Sequence, residues 1–368
     1  MSDIVVPFTD LQRAYEAFKP QIDDRIREVA GSGKYILGEY IAAFEQATAE
    51  YLGVKHTIAV ASGTDALHLA IVAAGIGPGH EVITTPFTFA ATVEAIEYTG
   101  ARAVLVDIDP DTFNIDANLI EDAVTPQTRA ILPVHLFGLP ANMKQIIDLA
   151  ERHDVLVVED CAQCFGAAID GQVTGSFGHA GAFSFYPTKP LGCLGDGGLI
   201  STNDPALNRR LRELRNHGIG EKGEHVTLGF NSRLDELQAA VLQIKLTRIN
   251  DMNERRRQIA AHYNSVLSDA GAKTPRPSHG VHHVYACYTI LVDDRDTLRA
   301  QLRDAEIATA LYYPKPLHQH VHFSTTCRFG PLNVAEQVAQ QCVSLPIFPE
   351  MKDDEVDYVA STTAALLT

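Results

Sequence analysis

From residue 56 onward the chain alternates short apolar runs with longer amphipathic stretches, and few folds accept that pattern. The runs occupy residues 57–61, 81–85, 103–106, 130–134, 155–158, 181–185 and 198–201. Helical segments are expected between most of them, at 64–74, 90–98, 118–123 and 143–153. Strands separated by helices read as an α/β fold with a largely parallel sheet covered on both faces. Ligands bind such sheets beyond the carboxyl ends of the strands. The residues that close each run are therefore the first candidates for chemistry.

The flanks are different in kind. Residues up to 34 are helical in character, with apolar positions at Leu11, Tyr15, Phe18, Ile22, Ile26 and Val29, until Gly31-Ser-Gly33 breaks the pattern. Residues 39–51 read as a second helix, 205–215 as another, and 233–264 as one long connecting helix. Beyond the turn-rich segment 273–280, alternating Val284, Ala286, Tyr288, Ile290 and Val292 suggest a strand. Helix at 297–305, strand at 309–313 and helix at 331–342 complete a small α+β unit. The expected division is a large domain over residues 1–245 and a small C-terminal domain over 246–368, with the N-terminal helix packing toward the small domain or a dimer interface.

Charge and composition remove several functions. A formal net charge of -16 speaks against nucleic acid or anionic membrane as partner, because both call for clustered basic surface. No apolar run approaches the roughly 20 residues that span a bilayer. Met1-Ser-Asp-Ile4 lacks the basic start and apolar core of a signal peptide. A cytoplasmic location with six reduced cysteines is expected.

Four places carry chemistry. In the stretch 183–198, a serine, a proline turn and Lys189 are followed by four glycines between Gly192 and Gly198. Glycine lets backbone approach a ligand, and a desolvated lysine is an amine nucleophile toward carbonyl cofactors; read alone, the stretch is equally a surface turn. Ser62-Gly-Thr64 opens a helix, either as a plain N-cap or as a phosphate seat. Phe87, after a proline at a strand end, is either core or a flat face for a planar ring. Glu159-Asp160 closes the buried run 155–158; Asp160 is the candidate partner for a pyridine nitrogen and Glu159 points to the other side of the strand.

Two metal readings fare poorly. Cys161 and Cys164 form a CxxC with no second pair to complete a zinc site, so buried thiols are the simpler reading. His318, His320 and His322 alternate, but they follow Pro314-Lys-Pro316 and belong to a loop, where His318 is read as a substrate contact. Neither a GxxxxGK[ST] loop nor a GxGxxG between strand and helix is present. A phosphate-type helix start, an aromatic, an aspartate at a strand end and a lysine about thirty residues on, all at one sheet edge, fit pyridoxal 5'-phosphate.

Tyr35-Ile-Leu-Gly38, Ala61-Ser-Gly-Thr-Asp-Ala66, Glu159 to Gly166, Phe183 to Gly198 and Gly229 to Asp235 together resemble the DegT/StrS family of pyridoxal-phosphate sugar aminotransferases over nearly the whole chain. The resemblance implies the fold type I aminotransferase architecture and a homodimer with active sites at the subunit interface. It implies that Lys189 holds the cofactor covalently, that Asp160 partners the pyridinium and that Gln163 lies near the ring hydroxyl. Phe87 matches the aromatic stacked on the ring; Gly63, Thr64 and Ser184 match phosphate ligands; Asn231 matches an asparagine reaching the partner subunit's phosphate.

Residues 189–198, 231–235 and 284–288 look most like aminotransferases acting on UDP-2-acetamido-2-deoxy-3-oxo-glucuronate in O-antigen biosynthesis. By that likeness L-glutamate is the amino donor and pyridoxamine 5'-phosphate the second cofactor form. Arg233 is the candidate carboxylate anchor; its other reading is an exposed helix-start arginine or an ion pair with a glutamate. One departure stands out: Tyr312-Tyr313-Pro314 replaces the His-Tyr-Pro of many relatives, which removes an imidazole where the sugar is expected and leaves Tyr312 and Tyr313 as candidate substrate contacts. A TDP-keto-6-deoxyhexose substrate, a pyridoxamine-phosphate sugar dehydratase and a non-catalytic regulator are the alternatives; the dehydratases have histidine where this chain has Lys189.

Overall fold

The computed structural model describes residues 4–368, so the leader-peptide reading of the first three residues lies outside the described residues. The main sheet has eight strands: β1 (His56–Val60), β2 (Glu81–Thr84), β3 (Arg102–Leu105), β4 (Thr128–Ile131), β5 (Leu156–Asp160), β6 (Ala180–Ser184), β7 (Gly198–Thr202) and, from far along the chain, Arg328–Phe329. Across the sheet they run β1-β7-β6-β5-β4-β2-β3, with Arg328–Phe329 at the edge beside β3. β7 is antiparallel to both its neighbours and every other pair is parallel. The expected α/β sheet is present, with each predicted run within three residues of an observed strand.

Both faces of this sheet are covered, which is why its strands read as unbroken apolar runs rather than alternating ones. Val158, Ala182 and Ile200 pack with Leu69 and Ala70 of the helix Gly63–Ala73. On the opposite face Ile83, Ile131 and Val157 pack with Ile146 and Leu149 of the helix Met143–His153. Since Val157 and Val158 are adjacent and serve opposite layers, β5 is held on both sides. The carboxylate that ends it is correspondingly fixed.

The expected long helix over 233–264 is two helices, Glu236–Leu246 and Ile249–Leu267. The Thr247 hydroxyl takes the Ile244 carbonyl at 2.7 Å, which satisfies one of the carbonyls freed at a helix end. The N-terminal helical segment is likewise two, Leu11–Glu16 and Lys19–Ser32, with Pro20 starting the second because its missing N–H costs nothing there. The C-terminal part has an antiparallel pair, Tyr288–Leu291 with Cys342–Leu345, covered by Ile249–Leu267, Arg295–Asp304 and Asp353–Leu367. The strand expected at 309–313 is only a bridge, Ala310 to Ser344. Val6 joins this second core through a bridge to Ile307. Among the described residues no helix is long and apolar enough to cross a membrane.

Candidate active site

The carboxyl ends of β1, β4, β5 and β6 share one edge, and the loop 185–197 returns over it. Registers fix its geometry: Gly198 at the start of β7 pairs with both Val60 and Ser184. The helix beginning at Gly63 therefore starts directly beside Ser184. A Cβ built on Gly63 would stand 2.5 Å from the Ser184 Cβ, and one on Gly198 would strike the Ser62 carbonyl. Glycine is needed at both positions because these segments touch through backbone. Ser62 caps the helix by accepting the Asp65 N–H at 3.1 Å, so its hydroxyl is used. The first-turn N–H groups of Gly63 and Thr64 and the Ser184 side chain thus gather at a helix N-terminus, a kind of place that attracts anions.

Asp160 ends β5 almost wholly buried. Its Oδ2 accepts the Thr92 hydroxyl at 2.8 Å and its Oδ1 accepts the Ala162 N–H at 3.1 Å. Burial raises its pKa, while Ala162, Thr92 and the charges of Lys189 and His135 oppose the rise. Among the described residues no cation pairs with it within salt-bridge distance, so it is a buried carboxylate lacking a positive partner. Glu159 does point the other way, as expected. It binds His135 Nε2 at 3.0 Å and the N–H groups of Gly175, Phe177 and Gly178.

Lys189 sits in the turn after β6, its N–H on the Tyr186 carbonyl at 2.9 Å. Burial lowers its pKa, and Cys287, Asp160 and Cys164 raise it through space without a hydrogen bond. An amine shifted down in this way is more often neutral and nucleophilic at a given pH. Gln163 is held at both ends, its Oε1 accepting the Phe137 N–H at 2.8 Å and its Nε2 donating to the Tyr313 hydroxyl at 3.1 Å. Burial pushes the Tyr313 phenol up, which keeps it neutral. Cys287, half-buried beside Lys189 and raised to about 12 by burial, was not anticipated.

Two expected residues are placed differently. Phe87 is 0% exposed and meets Phe113, Phe137 and Tyr313 edge-on at 5.8–6.4 Å, so it has no free face. Phe89, two residues later and just before the helix Ala91–Glu97 that carries Thr92, is 61% exposed. It has the open ring that Phe87 lacks. His318 is buried, with Nε2 on Glu336 at 2.8 Å and its ring against Phe329, rather than open for substrate.

The other histidines of that loop diverge, His320 to the Lys315 carbonyl and His322 to Glu97. Cys161, Cys164 and His135 do converge within 4.8 Å. However, His135 Nδ1 accepts the Ala141 N–H at 3.0 Å and Nε2 engages Glu159, so neither nitrogen is left for a metal. The thiols are free and buried, as read from the sequence.

Arg233 donates to Asn216 Oδ1 at 3.0 Å; among the described residues it pairs with no glutamate and its buried Nε has no partner. Asn231 is exposed, anchored through the backbone bridge to Asn216 and next to Ser232, whose hydroxyl holds Asp65 at 2.6 Å. Tyr312 is half-buried beside Phe8.

A family model described as the DegT/DnrJ/EryC1/StrS aminotransferase family matches residues 17–364. The chain belongs to this family. It is a sugar aminotransferase of fold type I that works with pyridoxal phosphate. A protein of Geobacillus stearothermophilus named a pleiotropic regulatory protein is 47% identical over 98% of each chain. A UDP-N-acetyl-3-dehydro-alpha-D-glucosamine 3-aminotransferase of Acidithiobacillus ferrooxidans is 43% identical over 97% of this chain and 96% of that one. A dTDP-3-amino-3,4,6-trideoxy-alpha-D-glucose transaminase of Streptomyces venezuelae is 44% identical over 94% and 92%.

Among solved structures, an aminotransferase of this family from Brucella abortus superposes with a TM-score of 0.96 at 41% identity, over 98% of this chain and 99% of that one. NtdA from Bacillus subtilis, solved with bound cofactor PMP, has a TM-score of 0.93 at 31% identity over 100% and 86%.

Proposed function

We propose that this aminotransferase moves an amino group from L-glutamate to the C3 keto carbon of a UDP-linked 2-acetamido-3-oxo sugar of the glucuronate type, for cell-surface polysaccharide. The observation that carries the reading is the buried Asp160 carboxylate within the electrostatic reach of Lys189, with the Gly63–Thr64–Ser184 anion seat at the same sheet edge. A phosphate, a pyridinium and an aldehyde on one small planar molecule answer these three demands together.

When bound, pyridoxal phosphate supplies an aldehyde carbon and an electron-withdrawing ring. Gly63, Thr64 and Ser184 would hold the phosphate, Asp160 would keep the ring nitrogen protonated, and Gln163, steadied by Tyr313, would serve the ring hydroxyl. Phe89 offers the stacking face that was assigned to Phe87. Lys189 Nζ would hold the aldehyde carbon, and the same amine, once free, would carry a proton from the donor α-carbon to that carbon. In the second half it would move a proton from that same carbon to the sugar carbon. Arg233, with its unused Nε, anchors a carboxylate, and Tyr312 borders the sugar.

We assign the working form to a homodimer in which Asn231 completes the partner's phosphate seat. Support comes from exposed apolar residues around the start of the helix Glu236–Leu246: Ile36 bridges Asp235, the Leu194 N–H binds Gln238, and Tyr35, Ile36 and Leu194 are 50%, 45% and 45% exposed. Leu228, three residues before Asn231 in the chain, is 86% exposed. A patch of this kind marks an interaction surface.

Incubating the pyridoxamine-loaded protein with UDP- and dTDP-linked keto-sugars tests the substrate. The reading expects a 3-amino UDP-sugar by mass and NMR. An amino dTDP-sugar would favour the 44%-identical relative's chemistry, a deoxy product the dehydratase, and no half-reaction even with glutamate a regulatory role.

A further inference from the structure

Asp160 is not held by the strand alone. Its two oxygens have separate anchors, the Ala162 N–H on Oδ1 and the Thr92 hydroxyl on Oδ2. Thr92 Oγ1 lies 3.0 Å from Thr88 Oγ1, and both threonines are almost wholly buried, at 1% and 2% exposure. An ionised carboxylate only accepts, so Thr92 must donate its single proton to Asp160. The Thr92 oxygen is then left to accept from Thr88, and the chain has one direction, Thr88 to Thr92 to Asp160.

Both threonines are β-branched and stiff about χ1, so their hydroxyls are held in place by the turn and helix that carry them. We propose that Thr92, oriented by Thr88, is a positioning residue that fixes the Asp160 carboxylate for the cofactor's ring nitrogen. This rests on the reading of Asp160 given above. Two donors, one on each oxygen, leave the carboxylate few orientations.

The hydroxyl also has an electrostatic task. Buried carboxylates tend to protonate, and a donor on the charged form opposes this. The other titratable groups that act on Asp160 are Lys189 after β6, His135 after β4, Cys161 next to it in the chain, and Tyr313 from the C-terminal part. Among them only Lys189 and His135 can bring positive charge, and His135 accepts the Ala141 N–H at Nδ1, which an imidazolium cannot do.

The test is cofactor binding to the apo protein, titrated by fluorescence across pH. Thr92→Val keeps the shape and removes the hydroxyl. It is expected to weaken pyridoxal phosphate binding about tenfold, as loss of a hydrogen bond to a charged group does. It is also expected to move the acid-side midpoint of binding to higher pH, because Asp160 then protonates more readily. Thr92→Ser restores both, and Thr88→Val shifts both in the same direction by less.

Wild-type affinity and midpoint in Thr92→Val overturn the proposal, as does a Thr92→Ser protein that folds but recovers neither. If Thr92→Val does not fold, the Thr88→Val midpoint decides. Asp160→Asn separates the two layers of the argument. Wild-type binding by Asp160→Asn defeats the reading of Asp160 itself, whereas lost binding there with a neutral Thr92→Val defeats the threonine inference alone.

Discussion

Ser184 at the end of β6 lies directly against Gly63 at the start of its helix, with no room for a methyl group between them. The closeness follows from Gly198, which pairs with Val60 and Ser184 at once and draws β1 and β6 around β7. Gly63→Ala would press a Cβ into Ser184, and overpacking of this kind costs on the order of 1–3 kcal/mol. We expect cofactor affinity to fall by about tenfold or more, with the main sheet still folded by circular dichroism. Unchanged affinity in that variant would move the phosphate elsewhere.

Asp160→Asn is expected to trade function for stability. The folded-state pKa of Asp160 is raised, so its contribution to stability is full below the unfolded carboxylate pKa and is lost as pH rises through the folded value. In the apo protein the buried carboxylate is thus destabilising in its ionised form, a cost that the neutral amide of the variant does not bear. The apo form of Asp160→Asn should melt at or above the wild-type temperature at pH 7, while losing most of the cofactor-induced rise in melting temperature. An apo form clearly less stable than wild type would show that Asp160 is structural.

Lys189 should titrate low. Its pKa is pulled below the ordinary lysine value by burial, so the neutral amine prevails at lower pH than for a free side chain. Reductive trapping of a small aldehyde on the apo protein, followed across pH, should give a midpoint for Lys189 below that of the exposed lysines. A midpoint equal to theirs contradicts the desolvation argument.

Asn231 tests the dimer. Lys189→Ala and Asn231→Ala homodimers should each be impaired, and mixing them after subunit exchange should recover part of the activity. One site in the hybrid would then keep both residues. No recovery despite exchange shown by native mass spectrometry would place Asn231 outside the neighbouring site.

Much of this was legible in the chain, for identifiable reasons. Strands buried on both faces, such as β5 with Val157 and Val158 in opposite layers, leave unbroken apolar runs, and a carboxylate closing such a run is conspicuous. Phe87 and Phe89 were harder to separate. They lie two apart in a segment that is neither strand nor helix, and only packing shows that one ring is buried and the other open. Thr92 carried no signal as a ligand, because its partner is 68 residues away. The break after Leu246 was hidden because the apolar positions continue across Thr247 and Arg248 in helical spacing. The edge strand Arg328–Phe329 is too short to read as a strand at all.

The most direct measurement is the position of the covalent link. Reduction of the pyridoxal-phosphate-loaded protein with borohydride, followed by peptide mass spectrometry, should put the phosphopyridoxyl mass on the peptide containing Lys189 and nowhere else. The mass on another lysine, such as Lys245 or Lys315, or on no peptide at all, would contradict the account.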